Sequence, residues 1–327
     1  MVLVGQAGGD RCLLSFAEDP MTTDLVSLGW DERLAAAFAR FPGADFRPGR
    51  VSQVDRGVCT VLTAAGVVRA SVAGALLVQG VTDPNGLPCA GDWLVVRSWP
   101  DGRTTAEAVL PRRSAVVWRD ADPDATGRVL AANLDVVAVV EPMVPGPDPA
   151  RIERLLALAA GSGARPLVLL TKADAVAHPR LVAAQVSEAM PGVAVLAVSA
   201  QRGDGMDRLR AFVGDGRTLG LIGPSGAGRS TLVNVLVGPA ATGVPQRLDG
   251  AGGQALLPVS GGGAVLDLPG IAAEQDFGGP AVRRVAGWQP LQSQEAREMR
   301  RRDARTAAAG RSRSRRLARG VRRPTHP

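Results

Sequence analysis

The apolar residues of this chain fall into two textures. Between residues 45 and 111 they come in short, largely β-branched runs, at 58–62, 67–72, 93–96 and 106–110, punctuated by Gly, Pro, Asn and Asp. Runs of this length bounded by turn formers read as strands. With the stretch from Pro48 to Gly57 they suggest about five strands in some sixty residues, which predicts a small β-barrel of the OB-fold kind. From residue 112 the texture changes. Residues 133–140, Asn-Leu-Asp-Val-Val-Ala-Val-Val, approach a continuous apolar run, as a strand buried on both faces requires. Ile152, Leu155, Leu156 and Ala159 then share one helical face. Further strands are expected at 166–170, 193–198, 218–222 and 265–266. Strands alternating with helices predict a doubly wound α/β sheet. Ahead of both regions, Leu34, Phe38 and Phe41 recur at helical spacing behind Asp31, the N-cap or first-turn acid of a short packing helix. The expected organisation is an N-terminal extension (1–44), a barrel (45–111), an α/β domain (112–271), and a linker with a tail (272–327).

In a doubly wound sheet, ligands sit at the carboxyl ends of the strands. The residues just past each strand therefore carry the candidate chemistry. After 218–222 comes Gly223-Pro224-Ser225-Gly226-Ala227-Gly228-Arg229-Ser230-Thr231, and then the apolar run 232–237. Strand, glycine-rich turn and helix at this spacing make a phosphate loop, with Arg229 where lysine is usual. The glycines let successive backbone N–H groups face phosphate oxygens at a helix N-terminus. Ser230 is the candidate hydroxyl ligand for Mg2+. After 166–170 come Thr171, Lys172, Ala173 and Asp174. A carboxylate at Asp174 can accept from guanine N1 and the 2-amino group, a donor pair that adenine lacks, while the Lys172 stem lies along the purine. After 193–198 come Ser199 and Ala200, whose turn can offer a backbone N–H to the base carbonyl. After 265–266 comes Asp267-Leu-Pro-Gly270, with Asp267 a candidate for Mg2+ and the segment a candidate for the γ-phosphate. Each signal alone is weak. Four at four strand ends predict a GTP or GDP site with Mg2+, with Arg229, Ser230, Asp267 and Gly270 as the catalytic candidates.

The order of these motifs is specific. Ordinary GTPases run phosphate loop, acid motif, then the two base motifs. Here the base motifs at 171 and 199 precede the phosphate loop at 223 and the acid at 267, so the set is circularly permuted. A small barrel followed by a permuted GTPase resembles the RsgA-type GTPases, which depend on the small ribosomal subunit. The resemblance covers roughly residues 28–270 and includes Leu28-Gly-Trp-Asp31, Gly91-Asp92-Trp93, Ala131-Ala-Asn-Leu-Asp135 and the four motifs above. It implies GTP hydrolysis stimulated by the 30S subunit, a role late in ribosome maturation, and a barrel that touches 16S rRNA. The chain departs from the family pattern at three places. Arg229 replaces the phosphate-loop lysine. Residues 243–263 hold no threonine or histidine, where the family has a Thr-rich, His-flanked switch. No cysteine follows Cys89, so the family's C-terminal zinc module is missing and no zinc is expected. Two readings follow: a working though slow GTPase, or a relative that binds GTP, GDP or rRNA as a scaffold without turnover.

Composition narrows the setting. Cys12, Cys59 and Cys89 form no CxxC pair, which fits a reducing cytosol and no disulfide framework. No apolar run has the length of a membrane span and the N-terminus lacks a signal-peptide pattern, so a cytoplasmic monomer with no membrane partner is expected. Lys172 is the sole lysine, and arginine serves nearly everywhere else a cation is wanted. That preference is the benign account of Arg229. Twelve arginines face three acids, Glu295, Glu298 and Asp303, between residues 295 and 323. This segment thus outweighs the formal net charge of +7, and the remainder of the chain is slightly acidic. Such a run is either a solvated tail or an arm that neutralises RNA phosphates. Deleting residues 295–327 is expected to flatten the salt dependence of RNA or ribosome association, measured as log affinity against log salt. An unchanged slope identifies the tail as a solvated segment.

Overall fold

The computed structural model describes residues 24–118, 127–238 and 255–268. All of them lie in one compact unit, spanning Met1–Val282. The proposed linker and tail at 272–327, the switch region at 243–254 and Gly270 lie outside the described residues.

Strands β1 (Phe46–Asp55), β2 (Val58–Thr63), β3 (Gly66–Val72), β4 (Trp93–Ser98) and β5 (Thr104–Val109) close into a barrel in the order β1-β2-β3-β5-β4. The turn between β1 and β2 is Arg56-Gly57, with φ of 47° and 79°. Two residues at positive φ match the twist of the flanking strands, which sets the Asp55↔Val58 register. Val51, Cys59, Val61, Ala70, Leu94, Val96 and Ala106 fill the interior. The five expected strands are thus present. Helix α1 (Glu32–Phe38) precedes them, and its N-cap Asp31 accepts from the Leu34 N–H at 2.8 Å. Helix α2 (Gly74–Thr82) crosses between β3 and β4.

Beyond the barrel, β6 (Ala115–Trp118) and β7 (Arg128–Ala132) form an antiparallel pair. The main sheet follows: β8 (Val136–Pro142), β9 (Arg165–Thr171), β10 (Ala194–Ala197), β11 (Thr218–Ile222), β12 (Leu256–Pro258) and β13 (Ala264–Asp267), in the order β10-β9-β8-β11-β13-β12. All seven residues of β8 are buried, as its apolar run requires. Crossovers carry α3 (Pro149–Gly161), α4 (Pro179–Ala189), α5 (Met206–Arg210) and α6 (Arg229–Val237). Five strands run parallel, so their carboxyl ends share one edge. Strand β12 is antiparallel to β13 and was not expected from the sequence. It spans three residues and ends in Pro258, whose missing N–H suits an edge strand.

The barrel meets the sheet at Arg50, which is fully buried. Its guanidinium donates to the carbonyls of Leu28, Gly91 and Asn133, the last at 3.0 Å. It also lies 5.5 Å from the centroid of the Trp93 ring, which packs edge-on to Trp30. Burial pushes the Arg50 pKa down to about 9, with Asp135 opposing, so the side chain stays protonated at neutral pH. Asn133 takes φ +56° and its amide donates to the Gly91 carbonyl at 3.2 Å. A Cβ on Gly91, itself at φ +89°, would lie 2.2 Å from the Ala132 carbonyl oxygen. Next to it, buried Asp92 takes both arms of Arg112 at 2.7 Å. Ser52 on β1 donates to the Leu256 carbonyl of β12 at 2.8 Å. Trp93 is therefore a core residue, whereas Trp99 stands half-buried with the Arg97 guanidinium 3.8 Å from its ring centroid.

Replacing Arg50 by Met keeps the stem and leaves the Leu28 and Asn133 carbonyls without this buried donor. Urea denaturation is expected to show a loss of about 2–4 kcal/mol, given the cost of unpaired buried polar groups. A change below about 1 kcal/mol would show that the seam does not depend on this donor set.

Candidate functional site

The carboxyl ends of β8, β9, β10, β11 and β13 bring the sequence-predicted residues to one edge. The register Ile222↔Val139 puts Gly223 beside Val140, and a Cβ there would lie 2.3 Å from the Val140 carbonyl oxygen. Gly226 and Gly228 take φ of 76° and 91°, and Gly228 is the N-cap of α6. Glycine is thus required at three points of this loop, twice by conformation and once by close approach. Gly223 and Ala227 are buried and Pro224 is half-buried, while Ser225, Gly226, Ser230 and Thr231 are exposed. The helix N-terminus behind the loop leaves its first-turn N–H groups free of intrahelical partners, a setting suited to an anion.

Arg229 does not point freely out of this loop. Its Nη1 donates to Asp267 Oδ1 at 2.8 Å and to the Leu268 carbonyl. The two charged side chains are 12% and 15% exposed. Burial raises the Asp267 pKa, opposed by the Arg229 charge and a hydrogen bond from the Ser230 hydroxyl. The candidate phosphate cation and the candidate metal carboxylate therefore hold each other. Ser230 and Asp267 supply adjacent oxygen donors of the hard type that Mg2+ takes. They fit such an ion, provided Arg229 gives up Asp267 Oδ1.

The two base motifs meet as well. Lys172 is exposed, at φ +57°, and the Ala173 N–H donates to the Val198 carbonyl at 3.2 Å. The buried Ser199 hydroxyl donates to Asp174 Oδ1 at 2.6 Å and accepts from the Arg202 N–H at 3.1 Å. This hydrogen bond, the largest influence on Asp174, lowers its pKa. Ala200 packs against the core beside it. Thr171 connects this half to the phosphate loop: its hydroxyl donates to the Ala227 carbonyl at 2.6 Å.

One residue at this edge escaped the sequence reading. Glu141, at the end of β8, is fully buried. Arg151 of α3 holds it with both arms, Nε at 2.9 Å, and the Asp148 N–H donates to it at 3.0 Å. The Met143 N–H then donates to the Thr171 carbonyl at 2.9 Å. This clamp braces the β8–α3 crossover between the base and phosphate halves. Its signal was a lone charge at the end of an otherwise apolar strand.

Residues 109–276 match the model of the RsgA GTPase family. The chain is 45% identical over 259 residues to the small ribosomal subunit biogenesis GTPase RsgA of Streptomyces coelicolor, covering 76% of this chain and 69% of that protein. The protein of the same name from Streptomyces avermitilis is 40% identical over 259 residues, with 76% and 68% covered. Among solved structures, YjeQ from Thermotoga maritima superposes with a TM-score of 0.53 at 23% identity, over 69% of this chain and 75% of that one. YloQ, described as a circularly permuted GTPase, gives a TM-score of 0.50 at 19% identity, over 70% and 73%. These two likenesses concern the fold, a barrel followed by the α/β sheet.

The Ser199–Asp174 bond generates a pH prediction. A depressed carboxylate pKa keeps Asp174 ionised further into acid. In Ser199→Ala that support is lost and protonation starts at higher pH. GDP affinity titrated against pH should therefore show its acid limb displaced upward in the variant, with a smaller difference at neutral pH. Superimposable profiles would exclude this coupling.

Proposed function

The chain belongs to the RsgA GTPase family, and from that premise we propose that it hydrolyses GTP as a factor in small ribosomal subunit biogenesis. The observation that carries the site assignment is the Thr171–Ala227 hydrogen bond, which joins the candidate base and phosphate halves. In this reading Asp174 selects guanine, Lys172 covers the purine face, and the Ser199–Ala200 turn closes over the base carbonyl. Residues 223–231 wrap the phosphates with backbone N–H groups, and Arg229 supplies the positive charge. Ser230 and Asp267 would hold Mg2+, which when bound neutralises charge on the β- and γ-phosphates. Gly270 is assigned to the γ-phosphate by its place in the acid motif alone.

The partner in this reading is the small subunit itself, named in the S. coelicolor relative. The barrel contacts 16S rRNA, the Arg-rich segment 295–323 adds phosphate contacts, and the protein works in the cytoplasm. A second reading is favoured by the pairing of Arg229 with Asp267 and by the lack of threonine across 243–263. It assigns no turnover, with the protein acting as a nucleotide- or rRNA-binding scaffold. Phosphate release from GTP, measured with and without 30S subunits, separates the two. Stimulation by the subunit of at least tenfold is expected. No release above blank in either condition would eliminate the enzymatic reading and leave the scaffold.

A further inference from the structure

We propose that Arg229 and Asp267 form an internal latch that makes phosphate and Mg2+ binding depend on each other. This deepens the guanine-nucleotide reading above and rests on it. Arg229 is the one cationic side chain in residues 223–231. It is engaged at 2.8 Å by the carboxylate assigned to the metal, and both side chains are at most 15% exposed. The same nitrogen also donates to the Leu268 carbonyl, so a second anchor holds the guanidinium over the acid motif. A pair so little exposed is weakly screened by salt. An incoming phosphate therefore competes with Asp267 for Arg229, and an incoming cation competes with Arg229 for Asp267.

Each ligand removes the obstacle to the other. Phosphate on Arg229 releases Asp267 for the cation, and the cation on Asp267 releases Arg229 for phosphate. By linkage the coupling is reciprocal. The latch has a consequence that a simple metal-ligand role for Asp267 lacks. Neutralising Asp267 frees Arg229 and strengthens nucleotide binding in the complete absence of metal.

The test is a double-mutant cycle on the full chain, with GDP as the probe and calorimetry as the readout. Wild type, Asp267→Asn, Arg229→Gln and the double variant are titrated in EDTA, and wild type also with Mg2+. Metal-free GDP is expected to bind Asp267→Asn on the order of tenfold more tightly than wild type, within the roughly 5–150-fold span of ordinary site coupling. In the Arg229→Gln background the same substitution should bring no gain, because there is no guanidinium to release. An equal gain in both backgrounds would trace the effect to lost repulsion between Asp267 and the phosphates, and would overturn the latch. Unchanged metal-free affinity in Asp267→Asn overturns it as well, while wild-type binding with Mg2+ leaves the nucleotide reading standing. Failure of wild type to bind GDP even with Mg2+ removes that reading, and the latch with it. Asp267→Ala repeats the cycle if the Asn variant does not fold.

Discussion

The seam between barrel and sheet depends on a guanidinium placed where no water reaches it. Arg50 belongs to the barrel by sequence and strand pairing, yet its donors end on Leu28, Gly91 and Asn133. Burying a cation is costly unless its protons are used and its charge is faced by electron density. Here three carbonyls and the face of Trp93 supply both. The neighbours are shaped to this end: Gly91 and Asn133 adopt positive φ so that their carbonyls converge. Two residues along β1, Ser52 reaches Leu256 on β12, the antiparallel partner of the strand that ends in Asp267. The barrel is thereby tied both to the start of the sheet and to its far edge.

The same architecture explains why motif order matters little for the site. A parallel sheet collects strand ends by position across the sheet. The β8 strand separates the base-motif strand from the phosphate-loop strand, and β13 flanks the latter on the other side. Short hydrogen bonds then close the remaining gaps: Thr171 to Ala227, Ser199 to Asp174, and the Glu141–Arg151 clamp beneath. The acid strand β13 is the last element in chain order among the described residues.

Much of this was legible in the residues. Alternating turn formers and β-branched runs specify the barrel strands, because each strand's character is local. The apolar run at β8 and the capping acid Asp31 are local in the same sense. The candidate phosphate loop is legible because three of its glycines answer to backbone demands that no other residue meets so cheaply.

What remained hidden were the pairings between residues far apart in the chain. Nothing near Arg50 announces that it will be buried, since its acceptors lie 22, 41 and 83 positions away. Glu141 reads as a stray charge until α3 folds back and sets Arg151 upon it. Arg229 reads as a substituted lysine, and only the parallel pairing of β11 with β13 carries it to Asp267. Propensity, turn chemistry and motif spacing act over a few residues, and the sequence determines them alone. Partners for buried charges are chosen by which strand ends the sheet brings together, and tertiary structure decides that.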